Sequence, residues 1–371
     1  MKINVIHFLL SLLLLFVTGQ FSAYGQPENA EVYAITREAV GDIAFTAKGE
    51  LVVSYHPFFN PEIRVAKVIS GTDTKPFPNL AWNTPCEDSD RFLSAVSAVR
   101  TDANGVVWML DMGTANNIAP KMVGWDTKND KLFKVYNIPD QVCLKTSQFD
   151  DFVVDLLHGV FIIADVGIAS EGDGSQAGLV VLDMQTGQSR RVLEGHYTTT
   201  PEEVPLLYKQ KHLSRNGKPI LVGVDGITAD RKNEWLYFAP LNGRQVYRMK
   251  IAALIDPNLS IQQMEAGIEV YAAKPNNSGL SIDRQNNLYL TNPENASVDI
   301  IFQSDKSVDQ YAINELLDWP TSLSFNANDG YMYISDAQLH LGATFNEGKD
   351  RTTSPFYIFR VKPLAKGIEG R

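Results

Sequence analysis

Acidic, hydroxyl and amide side chains open six similar segments of the sequence, and these types of side chain move protons or bind metal ions. They are Asp42, Ser97, Asp150 with Asp151, Asp225, Asn277 with Ser278, and Thr321. Carboxylates held close together raise one another's pKa or recruit a cation. Brought into one small volume, Asp150, Asp151 and Asp225 would supply a catalytic general base.

The same positions also suggest a metal site. Asp150, Asp225 and Asn277 would give oxygen ligands only. Hard oxygen donors without His or Cys favour calcium over zinc. We therefore predict no required cofactor, with calcium as the candidate metal.

Histidine and aromatic side chains follow the second strand of the first and last segments. His56 and His340 occupy these positions, and a histidine near its ordinary pKa can shuttle a proton at neutral pH. We predict them as catalytic residues. Tyr55 and Phe58 would stack against an aromatic or cationic ligand, together with the ligand-binding residues Ser97, Asn277, Ser278 and Thr321.

Each of these assignments has a structural alternative. Asp at the end of a strand commonly accepts hydrogen bonds from turn amides, which applies with most force to the residues that end the second strands. These are Asp111, Asp165, Asn292 and Asp336. A lone histidine or an aromatic side chain can equally be a packed residue of the core.

The elements that position these residues are six copies of one pattern. Each copy is an alternating apolar strand, a polar turn and a second strand rich in aromatic residues, which predicts a β-hairpin. The copies are GDIAFTAKGELVVSYH, SAVRTDANGVVWMLD, DDFVVDLLHGVFIIAD, DGITADRKNEWLYFAP, SGLSIDRQNNLYLTN and TSLSFNANDGYMYISD. Their spacing is close to the roughly 40–50 residues of a four-stranded blade.

Six blades predict an all-β fold, a six-bladed β-propeller that forms one domain over residues 26–366. The first strands would line the channel, so the opening residues would converge at one mouth, the default ligand site. The segment Glu31–Thr36 and the final PFYIFRV would share a sheet and close the ring. A polar stretch around residues 195–219 predicts a long loop. The alternative fold is an open β-sandwich.

Charge and the N-terminal sequence restrict the environment and the partners. The net charge is −10 with no long Lys or Arg run, so we expect no nucleic-acid partner. Residues 1–25 have a positive start, an apolar run and a small-residue cleavage pattern, which predict a signal peptide. The apolar run is about half the roughly 20 residues of a membrane span. We expect a secreted or periplasmic protein with no membrane association after cleavage.

Two further predictions concern the cysteines and the last residues. Cys86 and Cys143 are the only cysteines, so in an exported chain we expect a disulfide, with two free thiols as the alternative. Residues 367–371 end in IEGR, which is similar to a protease-site cloning scar. They are left out of the predicted domain.

Four longer strings carry a family resemblance. They are GVVWMLDMG, KMVGWDTKNDKLFKVYNIP, FIIADVG followed by GLVVLDMQTGQSRRVLEGH, and VDGITADRKNEWLYFAPLNGRQVYRM. Together they resemble the yellow/major royal jelly protein family, and the match covers most of the predicted mature chain. The resemblance implies a six-bladed propeller and secretion. Members include binders of biogenic amines, pigmentation proteins and dopachrome-converting tautomerases, with no shared catalytic motif, so no catalytic residue is carried over.

A looser similarity, in VDGITAD and NSGLSID, is to the senescence-marker/gluconolactonase propellers. Those proteins hold a divalent metal, typically calcium, with acidic and Asn side chains at the channel mouth.

Three functions therefore remain at this point. The first is binding or tautomerase-like conversion of a small aromatic amine or quinone-type metabolite at the mouth. The second is a calcium-dependent lactonase, in which the metal polarises a carbonyl and a carboxylate activates water. The third is ligand binding without chemistry. All three take a small-molecule partner, and the fold does not choose among them.

Overall fold

A computed structural model describes residues 25–371 of the chain. The predicted signal peptide, except for its last residue, lies outside the described residues. Within the described part, no helix is long and apolar enough to cross a membrane.

Residues 25–371 form twenty-nine strands, and most of these belong to four-stranded antiparallel sheets arranged as blades. The first fourteen are β1 (Glu28–Asn29), β2 (Glu31–Thr36), β3 (Val40–Phe45), β4 (Leu51–Tyr55), β5 (Val65–Ser70), β6 (Asp73–Pro76), β7 (Val96–Thr101), β8 (Val106–Asp111), β9 (Lys121–Asp126), β10 (Lys131–Asn137), β11 (Phe149–Asp155), β12 (Val160–Asp165), β13 (Gly178–Asp183) and β14 (Ser189–Val192). Blade 1 is β3–β6, blade 2 is β7–β10 and blade 3 is β11–β14.

Blades 4 to 6 follow a short insertion. The remaining strands are β15 (Leu207–Tyr208), β16 (Lys211–His212), β17 (Ser214–Arg215), β18 (Lys218–Pro219), β19 (Val224–Ala229), β20 (Trp235–Pro240), β21 (Gln245–Lys250), β22 (Glu269–Ala273), β23 (Leu280–Ile282), β24 (Leu288–Asn292), β25 (Ser297–Ile301), β26 (Val308–Ile313), β27 (Pro320–Phe325), β28 (Met332–Asp336) and β29 (Phe356–Val361). Blade 4 is β19–β22, blade 5 is β23–β26, and blade 6 joins β27–β29 to β2. Two short helices, α1 (Ile251–Ile255) and α2 (Ile261–Glu265), connect β21 to β22.

The ring closes as predicted. Strand β2 pairs antiparallel with β29, from Glu31 opposite Arg360 to Thr36 opposite Phe356. The sequence did not predict a second tie, in which β1 pairs in parallel with β26 of blade 5. The N-terminal segment therefore holds the last two blades together.

Local sequence explains the repeated hairpins. At the end of the first strand of every blade, a side-chain oxygen accepts hydrogen bonds from backbone amides of the following turn, as expected for Asp, Asn and Thr. These residues are Thr46, Asp102, Asp155, Asp230, Asp283 and Asn326. Each turn is thus fixed by the residue that precedes it, and we call the end of the propeller that these turns form the turn face.

Apolar clusters between neighbouring blades form the core. The Trp108 and Phe161 rings meet edge to face at 4.8 Å between blades 2 and 3, and Phe45 and Tyr333 do so at 4.8 Å between blades 1 and 6. Burying each such side chain contributes roughly 1.5–3 kcal/mol. This packing fixes the position of every first strand around the channel.

Two segments differ from the sequence-based description. The predicted long loop around residues 195–219 contains two small hairpins, β15–β16 and β17–β18. Residues 367–371, left out of the predicted domain, pack inside the propeller. Arg371 is buried and donates to the carbonyls of Val154 and Ala229, each at 3.1 Å, while Ser281 Oγ donates to the Arg371 carbonyl at 2.6 Å. The tail therefore spans the channel at the turn face, opposite the predicted mouth.

Candidate functional site

β-bulges position the side chains at the channel mouth. In five blades the register between the first two strands shifts near the start of the first strand. The residues in these shifts are Gly41, Ser97, Asp150 with Asp151, Asp225, and Thr321 with Ser322. A bulge re-aims side chains and often lies beside a functional site. This explains how the consecutive residues Asp150 and Asp151 both line one cavity.

The mouth cavity has apolar walls and a polar floor. Its volume is about 100 Å³, several times the roughly 10–15 Å³ that one water requires. The walls include Met112, Val166, Ile168, Leu241, Trp319 and Phe345. The floor includes Asp42, Ser97, Arg100, Asp150, Asp151, Asp225, Ser278, Thr321 and Ser322. Such a site accepts a small, largely apolar ligand with a polar group directed at the floor.

Arg100 organises half of the floor. Its guanidinium lies 3.0 Å from Asp42 Oδ1, and its second terminal nitrogen lies 2.8 and 2.9 Å from the two oxygens of Asp151. Burial opposes the charge on Arg100, but Asp151 and Asp42 more than offset this and raise its pKa. The guanidinium is therefore a fixed cation beside the cavity.

Asp42 is held by three blades. Its Oδ1 accepts the amide of Ile43 at 2.8 Å and the hydroxyl of Ser322 from blade 6, and its Oδ2 accepts the amide of Val99 at 2.8 Å. With Arg100 as a further partner, this carboxylate has a full set of donors. Asp42 thus joins blades 6, 1 and 2 at the mouth.

Asp150 and Asp225 form a carboxyl pair on the other half of the floor. Their carboxyl groups lie close enough to shift each other's pKa, and Ser278 Oγ donates to Asp225 Oδ2 at 3.2 Å. Burial is the main cause that raises the pKa of both, and the charge of Asp150 raises the pKa of Asp225 further. Carboxyl groups this close titrate as a pair that shares a proton. The pair can accept a proton through one oxygen while it donates one through another.

Asp151 completes the electrostatics of the floor. Burial raises its pKa to about 7, although Arg100 acts in the opposite direction. Polar side chains from all six blades surround the mouth. In order around the ring they are Ser322, Asp42, Arg100, Asp151, Asp150, Asp225 and Ser278.

His56 lines the cavity, but its environment differs from the predicted one. Its Nδ1 accepts the amide of Phe58 at 3.3 Å, and burial lowers its pKa to about 4. Phe58 also lines the cavity, as predicted for a ligand-binding ring. The proton shuttle predicted for His56 depended on a near-neutral pKa, which the structure does not give it.

His340 belongs to a stacked cluster beside the cavity. Its ring lies 3.7 Å from that of Tyr208 and 5.7 Å from that of Trp319, and burial lowers its pKa to about 4. Tyr208 also hydrogen-bonds Asp318. His340 does not line the cavity, so it holds the insertion in place rather than facing a ligand.

The insertion covers part of the mouth. Leu206, Arg215, Ile220 and Val222 line the cavity, and Arg215 donates to the carbonyl of Gly172 at 3.0 Å. We call residues 202–222 the lid segment. Its contacts restrict access to the floor.

Some predicted ligand-binding residues have structural partners. Tyr55 is buried in the core of blade 1 and lies 3.3 Å from Thr74 Oγ1, away from the mouth cavity. Ser97 and Thr321 line the cavity, but the hydroxyl of each has a backbone partner. Ser97 Oγ lies 3.4 Å from the Leu110 carbonyl, and Thr321 Oγ1 donates to the Gly41 carbonyl at 2.8 Å. Asn277 is fully buried and does not line the cavity.

The residues at the ends of the second strands follow the structural alternative. Asp111 accepts the amides of Ser94 and Ala95 and pairs with Lys121 at 2.8 Å. Asp165 and Asp336 likewise accept amides of the segments that lead into their own blades. They fix the loops at the mouth.

The predicted calcium ligands are only partly assembled. Asp150 and Asp225 lie together, but Asn277 donates its amide hydrogens to the carbonyls of Ser278 and Gly279, and its oxygen has no hydrogen-bond partner. Residues 25–371 contain no group of three or more His, Cys, Asp or Glu placed to hold a metal ion. The two carboxyl groups and the unpartnered oxygen of Asn277 are donors of the kind that calcium binds, but Asn277 does not line the cavity with them. The calcium site remains a prediction.

The predicted disulfide was wrong. Cys86 and Cys143 are free thiols. The Cys86 thiol donates a hydrogen bond to the carbonyl of Asp88, and the Cys143 thiol donates one to the carbonyl of Pro139 at 3.5 Å. Each cysteine therefore belongs to a separate connecting loop. An even cysteine count does not establish proximity.

Sequence reasoning also missed functional neighbours. Arg100 was overlooked because it stands in an apolar strand, and its partners Asp42 and Asp151 are 58 and 51 positions away in sequence. A lone charged residue in such a strand was the available signal, since a buried charge needs a partner. Ser322 was missed because only the first residue of its repeat, Thr321, was considered, and Trp319 was missed because it precedes that repeat.

The fold and site define a six-bladed propeller with a small-molecule cavity at its channel mouth. The family described as major royal jelly protein matches residues 94–351, which is more than half of the chain. The chain belongs to this family. No curated protein sequence matches it.

Solved structures show the same fold at low identity. A gluconolactonase from Xanthomonas campestris has a TM-score of 0.53 at 10% identity, covering 91% of this chain and 95% of that one. A calcium-binding regucalcin from Agrobacterium tumefaciens has a TM-score of 0.54 at 12% identity, covering 92% and 98%. A luciferin-regenerating enzyme has 0.52 at 15% identity, covering 90% and 95%. These likenesses concern the fold alone.

Proposed function

We propose that this protein binds a small aromatic amine or quinone-type metabolite at the channel mouth and moves a proton on it, as a tautomerase does. The observation that carries the proposal is the Asp150–Asp225 pair beneath an apolar cavity. A ring would lie against the walls, with Phe58 beside it. The polar substituents would face the floor.

The carboxyl pair suits an isomerisation. The deprotonated oxygen of the pair would take a proton from a carbon of the ligand, and the protonated partner would give one to the ligand's carbonyl oxygen. The pair then still holds one proton, now on its other member, and exchange between the two members or with solvent restores the starting arrangement. No oxidant or reductant is consumed. Proton transfer by a positioned side chain accelerates reactions typically 10²–10⁴-fold.

Arg100 supports this chemistry without taking the proton. Its charge faces Asp42 and Asp151, so it balances the negative floor when the pair loses its shared proton. A protonated amine would be attracted to the same floor, because the floor contains four carboxyl groups and one guanidinium.

The experiment is a titration of the full mature chain with dopamine and with dopachrome, followed by tryptophan fluorescence, since Trp319 lines the cavity. We expect saturable binding that Asp225→Asn weakens at least about tenfold, with little change in thermal stability. Asp73→Asn makes the same chemical change at an exposed position of blade 1 and serves as the control. Absence of saturable binding, or equal affinities for the two variants, would contradict the proposal.

We also propose export from the cytoplasm on the strength of the N-terminal sequence pattern. N-terminal sequencing of the protein released by its source cells is the test. A mature chain that starts near residue 26 supports the proposal, and a chain that retains residues 1–25 contradicts it.

A further inference from the structure

A second cavity lies on the turn face of the propeller, between blades 4 and 5. Its volume is about 280 Å³. Five cationic residues line it, namely Arg231, Lys232, Arg248, Arg284 and Lys306. We call this cavity the turn-face groove. It shares no lining residue with the mouth cavity.

The groove is positive although the protein as a whole carries −10. Its lining includes only two acidic residues, Asp230 and Glu234. Asp230 Oδ1 accepts the amides of Glu234 and Trp235, so that carboxylate is committed to its own turn. Glu234 lies 4.0 Å from Lys250 Nζ. Five cations and two acids leave the lining of the groove with a net positive charge.

Three of the cations have no partner of their own. Arg231, Lys232 and Arg284 are exposed, and within residues 25–371 their side chains make no hydrogen bond or ion pair. The free guanidinium groups can present paired donors to an oxyanion. They project from two neighbouring turns, β19–β20 and β23–β24.

The other two cations are held in position by aromatic rings. Arg248 lies 4.1 Å from the Trp235 ring and pairs with Glu269 at 2.7 Å. Lys306 lies 4.3 Å from the Tyr271 ring and 3.1 Å from the Tyr271 hydroxyl. Cation–π contacts of this kind reduce the mobility of the charged groups. The groove is therefore partly organised before any ligand arrives.

Burial, with the nearby Arg248 as a second cause, lowers the pKa of Lys306. A bound anion would reverse this effect, since an opposite charge close by favours the protonated form of lysine. An anionic ligand would therefore reduce the repulsion between the positive charges of the groove.

We propose that the turn-face groove binds an oxyanion group, the phosphate or sulfate of a small ligand. The ligand's oxygens would meet Arg284 and Arg231 at the rim and Lys306 at the inner wall. The groove's volume leaves room for more than one such group, as in a diphosphate. This site is independent of the mouth cavity and of the chemistry proposed there.

The test is isothermal titration calorimetry of the full mature chain with sodium pyrophosphate and with sodium sulfate. Chloride keeps the ionic strength constant, because screening alone weakens surface electrostatics. We expect saturable binding of at least one anion, weakened roughly tenfold by Arg284→Ala and partly restored in Arg284→Lys. Tighter binding of pyrophosphate assigns the groove to phosphate ligands, and tighter binding of sulfate assigns it to sulfate esters.

Lys349→Ala is the matched control, since Lys349 is an exposed cation on a loop away from the groove. A thermal melt of each variant establishes that it is folded, and Arg231→Ala provides a second groove variant if Arg284→Ala does not fold. No saturable heat with either anion would overturn the proposal. An equal loss of affinity in the groove variants and in Lys349→Ala would overturn it as well.

Discussion

At the scale of single residues, the carboxyl groups of the mouth differ in what they do. Asp42 and Asp111 are held by several donors and fix the backbone. Asp150 and Asp225 have few such donors and shift each other's pKa, in a cavity that a ligand can enter. A raised carboxyl pKa beside a cavity is a frequent sign of a functional site. This difference in hydrogen-bond partners separates the candidate catalytic pair from the carboxylates that fix the backbone.

Asp336 gives a prediction for stability against pH. Burial raises its pKa to about 7, above the roughly 3.9 of an unfolded chain. The folded state then holds the proton more tightly, so this group's contribution to stability is complete below about pH 4 and is lost as the pH rises to about 7. Asp336→Asn removes this titration and keeps an oxygen for the amides of Asp318 and Trp319.

The measurement is the free energy of unfolding from urea titrations at pH 4, 5.5 and 7. Asp336→Asn should lose less stability than the wild type across this range. Asp73→Asn, at an exposed position, should follow the wild type. Parallel curves for the wild type and Asp336→Asn would show that burial does not raise the pKa of this carboxyl.

At the scale of elements, the bulged first strand of blade 4 gives a second prediction. A Cβ atom at Gly226 would lie 2.6 Å from the Ser278 carbonyl and 2.9 Å from the Asn277 side chain. Gly226→Ala should therefore push β19 away from blade 5 and cost about 1–3 kcal/mol in the free energy of unfolding. It should also disturb Asp225, which precedes it.

Gly243→Ala is the control for this substitution, because its Cβ would meet neighbours only at 3.5 Å or more. Chemical denaturation of both variants provides the comparison. If Gly226→Ala is as stable as Gly243→Ala, the first strands of blades 4 and 5 are not packed as closely as described.

The lid segment gives a third prediction. Tyr208→Ala removes the ring stacked on His340 and the hydrogen bond to Asp318. The lid should then open more often and expose Trp319. We expect acrylamide to quench the tryptophan fluorescence of Tyr208→Ala more strongly than that of the wild type. The melting temperature of the variant should differ from that of the wild type by only a few degrees. Tyr197→Ala, which changes an exposed tyrosine outside the lid segment, should leave quenching unchanged. Equal quenching in the two variants would show that the contacts of Tyr208 do not hold the lid segment closed.

At the scale of the whole molecule, closure of the ring depends on the N-terminal strand. Without residues 26–36, strand β29 would stay paired with β28 but lose its outer partner β2 and become an exposed edge. We expect the truncated protein to melt about 10 °C or more below a protein of residues 26–371 and to aggregate. Glu31→Ala removes only an exposed ion pair with Arg360 and should change stability by less than about 1 kcal/mol. The melts are measured by circular dichroism. An unchanged melting temperature in the truncated protein would contradict this role of β2.

The fold was predictable from the sequence because its signals are local and repeated. Alternating strands and turn residues such as Asn104-Gly105 recur six times, and each hairpin can be identified without knowledge of the others. The position of Asp150, Asp151 and Asp225 around the mouth followed from the same repetition. Their side-chain directions depend on bulges, which the sequence pattern did not reveal.

The rest of the site depends on contacts between distant segments. Arg100 meets Asp151 across 51 positions of sequence, and Tyr208 meets His340 through the lid. Asn277 and Tyr55 have the expected residue types, but their partners are in the blades rather than in the cavity. The cysteine pairing failed for the same reason, since spacing along the chain carries no information on distance in space.

The most direct test of the central claim is the rate of dopachrome conversion by the wild-type protein and by Asp225→Asn between pH 5 and pH 9. The account predicts a saturable acceleration by the wild type that varies with pH as the Asp150–Asp225 pair loses its shared proton. It predicts a loss of roughly 100-fold or more in Asp225→Asn. A wild type that leaves dopachrome unchanged, or a variant with the wild-type rate and pH profile, would contradict the assignment of proton transfer to this pair.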